Sequence, residues 1–327
     1  MDDRPAVSVA LVAVQESYVS CLTGLYDTLE LAGTEIAPGP GGFEVEIVAL
    51  TDPLESCTSR FPIVPHRTID EVPQADVVIL PAALADSWEP GSHPQVLSWI
   101  RSLHEQGSVV CSVCSGGLLL AETGLLDGHR ATSHWNEAER FRTHFPKVRL
   151  DLTKELVVAD DDQRLVTSGA SAAWHDLALY LISRYRGPEV AQAVARFFML
   201  QWHTDGQTPY LRFEPNRRHG DAAVLRAQEW IERHWADPDV LADLPTAADL
   251  TERTFTRRFR QATGHSPSGY LQHKRVDEAK TLLERTDRSV ERICWTVGYD
   301  DPASFRRLFK RLTAVTPGTY RRKFTGQ

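Results

Sequence analysis

The sequence predicts an open, mostly parallel α/β sheet with flanking helices, followed by an all-helical region. Three observations lead to this prediction. Valine-rich apolar runs alternate with helical patterns up to about residue 200, helical periodicity alone remains after residue 222, and the helical region contains an internal repeat of 50 residues. A chain of 327 residues, of which 42% are hydrophobic, has enough apolar material for two cores.

The strands are predicted from short apolar runs without a polar face, which are typical of strands buried on both sides of a parallel sheet. The intervening segments have apolar residues at helical spacing, and one later segment has the turn residues of a hairpin. In chain order, the sequence predicts strands at 6–14, 43–50, 75–81 and 108–114, helices at 21–33, 93–106, 171–186 and 188–200, and a hairpin at 155–168 around residues 160–163.

The two regions are separated by a segment without periodicity. From His203 to Gly220 the chain accumulates Gly, Pro and polar residues, which is typical of a linker. We therefore predict one domain at 1–203, an open linker at 204–221 and a second domain at 222–327.

The charge distribution supports this division. Residues 1–220 contain 17 Lys and Arg against 29 Asp and Glu, a net charge of −12, whereas residues 221–327 contain 19 against 15, a net charge of +4. Residues 253–327 alone carry +10. An acidic first domain with a basic end predicts that the second domain is the one that meets a polyanion.

Several classes of protein are disfavoured by what the sequence contains. No apolar run approaches the roughly 20 residues that cross a bilayer, and the first residues lack the pattern of a signal peptide, so we expect a cytoplasmic protein without membrane contact. An odd number of cysteines in a long chain implies no disulfide framework, and we expect neither a metal nor a cofactor. The cysteines are Cys21, Cys57, Cys111, Cys114 and Cys294.

The internal repeat gives the most specific signal. In each copy a short helix, a tight turn and a second helix follow one another, and the second helix begins with a capping signal, Thr251 in one copy and Asp301 with Pro302 in the other. At an offset of 50, Phe255, Arg257, Phe259, Thr263, Pro267 and Tyr270 are matched by Phe305, Arg307, Phe309, Thr313, Pro317 and Tyr320.

The second helix of each copy is basic on its outward face. Such helices fit a major groove, where Arg contacts phosphates and guanine edges. The alternative is that these arginines only keep exposed faces solvated. Two copies of the same basic helix instead favour binding to a partner that offers the same surface twice. The predicted DNA contacts are Arg253, Thr256, Arg257 and Arg260 in the first copy and Ala303, Arg306, Arg307 and Lys310 in the second.

Residues 222–327 resemble the tandem helix-turn-helix domain of AraC/XylS-type transcription regulators, especially in GYDDPASFRRLFKRLTAVTPGTYRRKF. The resemblance implies seven helices, with recognition helices at about 252–262 and 302–312 that enter successive major grooves. The first copy departs from the family pattern. Asp249 replaces the glycine of the turn and Pro245 lies in the preceding helix. We therefore expect the first copy to contribute less than the second to recognition of the DNA sequence.

A cysteine follows the fourth predicted strand. Ser112, Cys114 and Gly116 have the small-x-nucleophile-x-small spacing of a nucleophile elbow, and His134 is a candidate base. The alternatives are that Cys114 is a small buried residue and His134 a structural hydrogen-bonding group. Trp135 and Trp174 are equally compatible with an aromatic ligand wall and with core packing. The Cys111-x-x-Cys114 spacing does not indicate a metal, because the two side chains point to opposite faces.

Residues 6 to about 200 resemble the ThiJ/PfpI (class I glutamine amidotransferase-like) superfamily, a flavodoxin-like fold, in the form fused to AraC-type domains. The resemblance is carried by CSVCSGGLLLAETGLLDGHRATSHW and VTSGASAAWHDLALYLI. In enzymatic members the elbow cysteine works with a histidine at the position of His134 and a glutamate after the first strand. Here Cys21 falls at the glutamate position and Glu16 is off register, which predicts a polar pocket without turnover.

Together these features predict a DNA-binding transcription regulator with an α/β sensor domain. The expected partners are double-stranded DNA, a small-molecule effector, a second copy of the chain and RNA polymerase. The alternative is a ThiJ/PfpI-type cysteine hydrolase, an amidase or deglycase, with an appended DNA-binding domain. The predicted effector-binding residues are Cys114, Ser115, His134, Trp135 and Trp174.

Overall fold

The computed structural model describes residues 5–51, 54, 62–83 and 88–326. The chain divides into two compact units, Met1–Gln207 and Thr208–Gln327. Cys57, one of the cysteines considered above, lies outside the described residues. Within the described residues no helix is both long and apolar enough to span a membrane.

The first unit is built on a seven-stranded sheet. The order of its strands is β3-β2-β1-β4-β5-β9-β8, and all neighbours pair in parallel except β8 with β9. The last pair is the predicted hairpin. The strands are β1 (Val7–Ala13), β2 (Phe43–Ala49), β3 (Arg67–Thr68), β4 (Val77–Leu80), β5 (Val109–Val113), β8 (Leu156–Val158) and β9 (Leu165–Ser168), and β6 (Arg130–Ala131) with β7 (Arg149–Leu150) forms a separate parallel pair.

Helices cover both faces of this sheet. The alternation of side chains along β1 divides them between two cores, with Val9 and Leu11 on one side and Ala10 and Val12 on the other. The first core includes residues of α1, α5 and α6, and the second includes residues of α2, α3 and α4. The predicted open α/β fold is confirmed. The helices are α1 (Val19–Leu31), α2 (Pro94–Glu105), α3 (Gly116–Glu122), α4 (Ala138–His144), α5 (Trp174–Arg186) and α6 (Pro188–Phe198).

The described part of the second unit is helical and has two cores, one for each copy of the repeat. Helix α10 belongs to both, since Tyr270 packs in the first core and Val276 in the second. Its elements are α7 (Ala222–His234), α8 (Val240–Ala248), α9 (Glu252–Thr263), α10 (Pro267–Arg285), α11 (Val290–Thr296), α12 (Pro302–Thr313) and α13 (Pro317–Thr325).

The linker predicted at 204–221 stays a prediction, and in the structure part of this segment contacts helix α10. The Lys280 ammonium donates to the carbonyls of Pro209 and Leu211, at 3.2 and 2.6 Å, and Arg212 binds both carboxylate oxygens of Glu284 at 2.6 Å. A buried ammonium that binds backbone carbonyls leaves no periodic pattern, so the segment resembled a loop without contacts. That 1–203 and 222–327 fold as independent domains stays a prediction.

Candidate functional sites

The turn after β5 has the backbone of the predicted elbow. Cys114 adopts φ +57°, a left-handed conformation that is strained for a residue with a side chain. Its amide donates to the Ser168 carbonyl at 3.0 Å. A side chain at Gly116 would collide with the carbonyl oxygens of Leu80 and Pro81, so glycine is required two residues after the cysteine. The sequence spacing therefore predicted a real constraint on the turn.

The elbow thiol is buried and hydrogen-bonded to a serine. Cys114 is 4% exposed, and its Sγ lies 3.2 Å from the Ser171 hydroxyl oxygen. Burial raises the pKa of the Cys114 thiol above its ordinary value. Cys21 is buried as well; its Sγ accepts a hydrogen bond from the Ala82 amide at 3.5 Å, and burial raises its pKa to about 12. Both groups are therefore neutral thiols at neutral pH.

His134 makes its own local contacts. Its Nδ1 accepts a hydrogen bond from the Asn136 amide at 3.1 Å, and its ring centroid lies 4.0 Å from that of Trp135. Burial lowers the pKa of His134. Among the described residues, the side-chain hydrogen bond of Cys114 is thus with Ser171 and that of His134 is with the turn that it begins. No hydrogen bond joins Cys114 to His134 among these described contacts.

A small cavity of about 40 Å³ lies beside the elbow. Of the predicted effector residues, Ser115 lines it, together with Trp88 and His93, which the sequence did not indicate as site residues. Glu16, the loop carboxylate judged off register, also lines it.

Trp174 has a packing role in the structure. A side-chain carbon at Gly24 of α1 would lie 2.7 Å from Trp174 Cζ2, so the indole occupies the space that this glycine leaves open. Trp174 also packs against the core shared by α1 and α5. Of the two interpretations that the sequence allowed, these contacts are those of core packing.

Two polar residues that the sequence-based analysis missed connect the elbow to the end of the first unit. The Ser133 hydroxyl donates to the Cys114 carbonyl at 2.8 Å. The Gln207 amide nitrogen, which has two hydrogens to donate, lies 3.0 Å from each of three acceptors, the Ser133 carbonyl, the Thr132 hydroxyl and the Lys154 carbonyl. Gln207 is fully buried and is the last residue of this unit. Single polar side chains of this kind leave no periodic signal.

The candidate nucleic-acid interface consists of the outward faces of α9 and α12. Phe255 and Phe259 are buried on one helix, as are Phe305 and Phe309 on the other, which leaves the remaining faces to solvent. The structure exposes all eight predicted DNA contacts, namely Arg253, Thr256, Arg257 and Arg260 on α9 and Ala303, Arg306, Arg307 and Lys310 on α12.

Two of these cations have intramolecular partners. The Arg306 guanidinium forms an ion pair with the Glu291 carboxylate, and Arg307 donates to the Ser304 hydroxyl at 2.7 Å. Both pairs are exposed, so their net contribution to stability is small and phosphates or base edges can replace them. The repeat alone did not indicate that Arg306 must break its ion pair with Glu291 before it can contact DNA.

Comparisons with known proteins agree with this architecture. The sequence pattern of the DJ-1/PfpI family matches residues 8–184, and that of a helix-turn-helix domain matches residues 244–323. The HTH-type transcriptional regulator CdhR of Pseudomonas aeruginosa is 31% identical over 226 residues, which span 68% of this chain and 66% of CdhR, just under two thirds of its length.

Two further comparisons cover part of the chain. Isonitrile hydratase of Pseudomonas putida is 35% identical over 130 residues, which span 40% of this chain and 54% of that enzyme. The crystal structure of Drosophila melanogaster DJ-1beta superimposes with a TM-score of 0.51 at 21% identity and covers 60% of this chain and 100% of DJ-1beta. At this identity the superposition speaks for the fold alone.

Proposed function

Since this chain belongs to the DJ-1/PfpI family and carries a helix-turn-helix domain, as HTH-type transcriptional regulators do, we propose that it regulates transcription by binding operator DNA under the control of a small effector. The first domain binds the effector beside the elbow and does not turn it over. We further propose that the chain forms a homodimer through this domain. RNA polymerase is proposed as a further partner.

The state of the elbow cysteine is the observation that carries the proposal of binding without turnover. A cysteine hydrolase needs a thiolate and a base within hydrogen-bond reach. Here burial raises the pKa of Cys114, its hydrogen bond is with Ser171, and His134 accepts from Asn136. Cys21, at the position where enzymatic relatives have a glutamate, is a second buried thiol.

The cysteine hydrolase remains the second candidate because two observations favour it. The left-handed backbone at Cys114 is the strained geometry of a nucleophile elbow, and isonitrile hydratase is among the relatives. Steady-state assays of the full chain with amide, glycated and isonitrile substrates separate the candidates. We expect no turnover above that of Cys114→Ser. Turnover by the wild type that Cys114→Ser abolishes would establish the hydrolase instead.

The same substitution tests the assignment of roles. Cys114→Ser should leave operator affinity in the absence of effector unchanged, since the basic residues of α9 and α12 belong to the other unit. It should alter the effector response, because Cys114 precedes Ser115 at the cavity. A folded Cys114→Ser protein without operator affinity would contradict this division.

The DNA complex is expected to use both helix-turn-helix copies. Two recognition helices in one chain place themselves about one helical turn apart, roughly 34 Å, on one face of the duplex. The outward residues nearest each helix start, Arg253 and Thr256 in α9 and Ala303 and Arg306 in α12, are the proposed base contacts. Arg257 and Arg307, which both copies share, are proposed phosphate contacts.

Arg306 and Arg307 form a matched pair for testing this assignment. Arg306→Ala should relax the sequence preference at one base position and cost about 1–3 kcal/mol, whereas Arg307→Ala should weaken binding to all sequences and lower the salt slope by about one unit. Footprinting and salt titration of both variants measure the difference. Protection of a single groove segment, or a specificity change from Arg307→Ala alone, would overturn the assignment.

A further inference from the structure

A cluster of two histidines and an aspartate has no part in the function proposed above. His175 and Asp176 lie in the first turn of α5, and His203 lies a few residues beyond the end of α6. The side chains of His175 and Asp176 are 12% and 6% exposed and that of His203 is 24% exposed. The chain reaches the second unit at Thr208, five residues after His203.

The polar atoms of this cluster converge. Asp176 Oδ2 lies 2.6 Å from His203 Nδ1 and 3.4 Å from His175 Nε2, and these three atoms are all within 4.8 Å of one another. The carbonyl oxygen of Gln201 lies 2.9 Å from His175 Nε2. Two imidazole nitrogens, one carboxylate oxygen and one backbone carbonyl oxygen therefore face a small common volume.

We propose that this cluster binds a divalent transition-metal ion of the zinc class through His175, Asp176 and His203. Two imidazoles and one carboxylate are the ligand set of open zinc sites. Zinc–ligand bonds of about 2.0–2.1 Å in tetrahedral geometry place ligand atoms roughly 3.3 Å apart. The observed separations of 2.6 and 3.4 Å, and the limit of 4.8 Å for the third, lie around this value.

Hydrogen bonds hold the cluster together in the absence of an ion. Asp176 accepts from the His203 backbone amide at 2.9 Å and from its ring, which anchors the segment after α6. This anchor does not require a second imidazole within 3.4 Å of the same carboxylate oxygen. Without an ion, the His203 ring donates from Nδ1 to Asp176 and the His175 ring donates from Nε2 to the Gln201 carbonyl. In the metal-bound form each ring carries its hydrogen on the opposite nitrogen, so that both imidazoles direct a lone pair to the ion.

The cluster also has an open side through which an ion and its water can enter. A cavity of about 400 Å³ is lined by Asp176 and His203 together with Glu155 and Asp205, whose carboxyl groups favour the approach of a cation. Tyr180 lines the same cavity, and its hydroxyl is buried without a hydrogen-bond partner among the described residues. A metal-bound water in the cavity would give such a hydroxyl a partner.

Titration of the untagged full-length protein with Co²⁺, a spectroscopic substitute for Zn²⁺, tests the site. After chelator treatment we expect one Co²⁺ per chain, with the visible absorption of a low-symmetry site, and displacement by Zn²⁺. His175→Gln and His203→Gln should each weaken binding at least about tenfold. His144→Gln, which removes an exposed imidazole from α4, is the matched control and should bind as the wild type does.

Thermal denaturation without metal shows whether each variant folds. Glutamine retains an amide that can donate to Asp176 or Gln201, so both variants should melt as the wild type does. If His203→Gln does not fold, His175→Gln decides, since the hydrogen bond of its ring is with one backbone carbonyl. Absence of Co²⁺ binding, or binding that survives both substitutions or is lost in His144→Gln, would overturn the proposal. Each of these outcomes leaves operator binding, and hence the proposed function, unaffected.

Discussion

The two helix-turn-helix copies have equivalent aromatic residues in their separate cores but differ in the turn between the helices. The turn from α8 to α9 has Asp249 in the left-handed conformation, φ +56°, two residues before the N-cap Thr251. The turn from α11 to α12 has Gly298 at φ +80°, three residues before the N-cap Asp301. The repeat therefore fixes the recognition helices and their packing, while the turn tolerates a different length and chemistry.

The helix starts differ as well. The Asp301 carboxylate caps α12 by accepting from the amides of Ala303 and Ser304, each at 3.0 Å. The Thr251 hydroxyl of the first copy instead donates to the hydroxyl of Thr254 at 3.0 Å, so the predicted capping bond to the backbone is not formed. The first copy compensates with a charged contact, since Arg258 binds the carboxylate of Asp221 at 2.7 and 2.8 Å.

The position of Arg258 shows how the two copies reach the same packing by different means. Its equivalent at the offset of 50 is Leu308, which is 8% exposed in the second core. An apolar residue buries this face of α12, whereas a cation joins the same face of α9 to the start of α7. The first copy thus depends more on electrostatics and the second more on burial and on the conformation of one glycine.

Substitution at the left-handed turn residues should give the largest difference between the copies. A side-chain carbon at Gly298 would lie 2.6 Å from the Ala236 carbonyl and 2.8 Å from the Arg275 guanidinium, which is itself held by the carbonyls of Trp235, Asp237 and Gly298. Gly298→Ala should therefore destabilise the second copy by roughly 2–4 kcal/mol. Asp249→Ala should cost the first copy less than about 1 kcal/mol, because a side chain is already accommodated there.

Native-state hydrogen exchange of the full chain measures both effects, because it reports the opening free energy of α11 and α12 separately from that of α8 and α9. Equal losses from the two substitutions would mean that the turns are equivalent and that the comparison is wrong.

The sequence predicted those features that repeat or that need a particular residue type. Valine-rich runs predicted the positions of the central strands, and the 50-residue offset predicted those of α9 and α12. The spacing of small residues predicted the tight turn at Cys114. The left-handed turn at Asp249 was also expected and is confirmed. Pro245 does lie inside α8, five residues after its start at Val240.

The sequence did not predict contacts made by single polar side chains. Gln207 and Lys280 bind backbone carbonyls, which carry no residue-specific signal, and both fix a segment that resembled an open linker. The cluster of His175, Asp176 and His203 brings together residues 27 positions apart, and no motif spacing indicated it. The packing of the Trp174 indole over Gly24 was likewise not predicted from the sequence.

Loss of the charged contact between Asp221 and Arg258 should give the second-largest difference in stability between the two copies. Asp221 accepts from the amides of Ala223 and Val224 as well as from Arg258, and the hydrogen bond from Arg258 is the largest cause that lowers its pKa. Asp221→Asn keeps an acceptor for the amides but removes the charge, and should destabilise the first copy by about 1 kcal/mol at neutral pH. The equivalent contact is absent at Leu308, so the second copy should be unaffected.

The pH dependence of this effect follows from the lowered pKa of Asp221. Because the pKa is lower in the folded chain, the stabilisation is present above the unfolded-state value of about 3.9 and is lost as the pH falls through the folded-state value. Urea denaturation of wild type and Asp221→Asn should therefore converge at acid pH. A difference that stays constant down to about pH 3 would show that the charge of Asp221 contributes nothing.

The helix ends provide the smallest and most closely matched comparison. Helix α9 ends at Gly264 with φ +77°, whereas α12 ends at Ala314 with φ +65°, so here the second copy has the strained residue. A side chain at Gly264 would meet nothing within 4 Å, which leaves backbone strain as the effect of Gly264→Ala. This substitution should destabilise α9 by about 1 kcal/mol, and Ala314→Gly should stabilise α12 by about 0.5 kcal/mol after the added flexibility of the unfolded chain is subtracted. Hydrogen exchange should therefore show a lower opening free energy for the end of α9 in Gly264→Ala and a higher one for the end of α12 in Ala314→Gly. Destabilisation by both substitutions would mean that Ala314 makes contacts that outweigh its strain, and the two copies would then differ in packing at this end as well as at the turn.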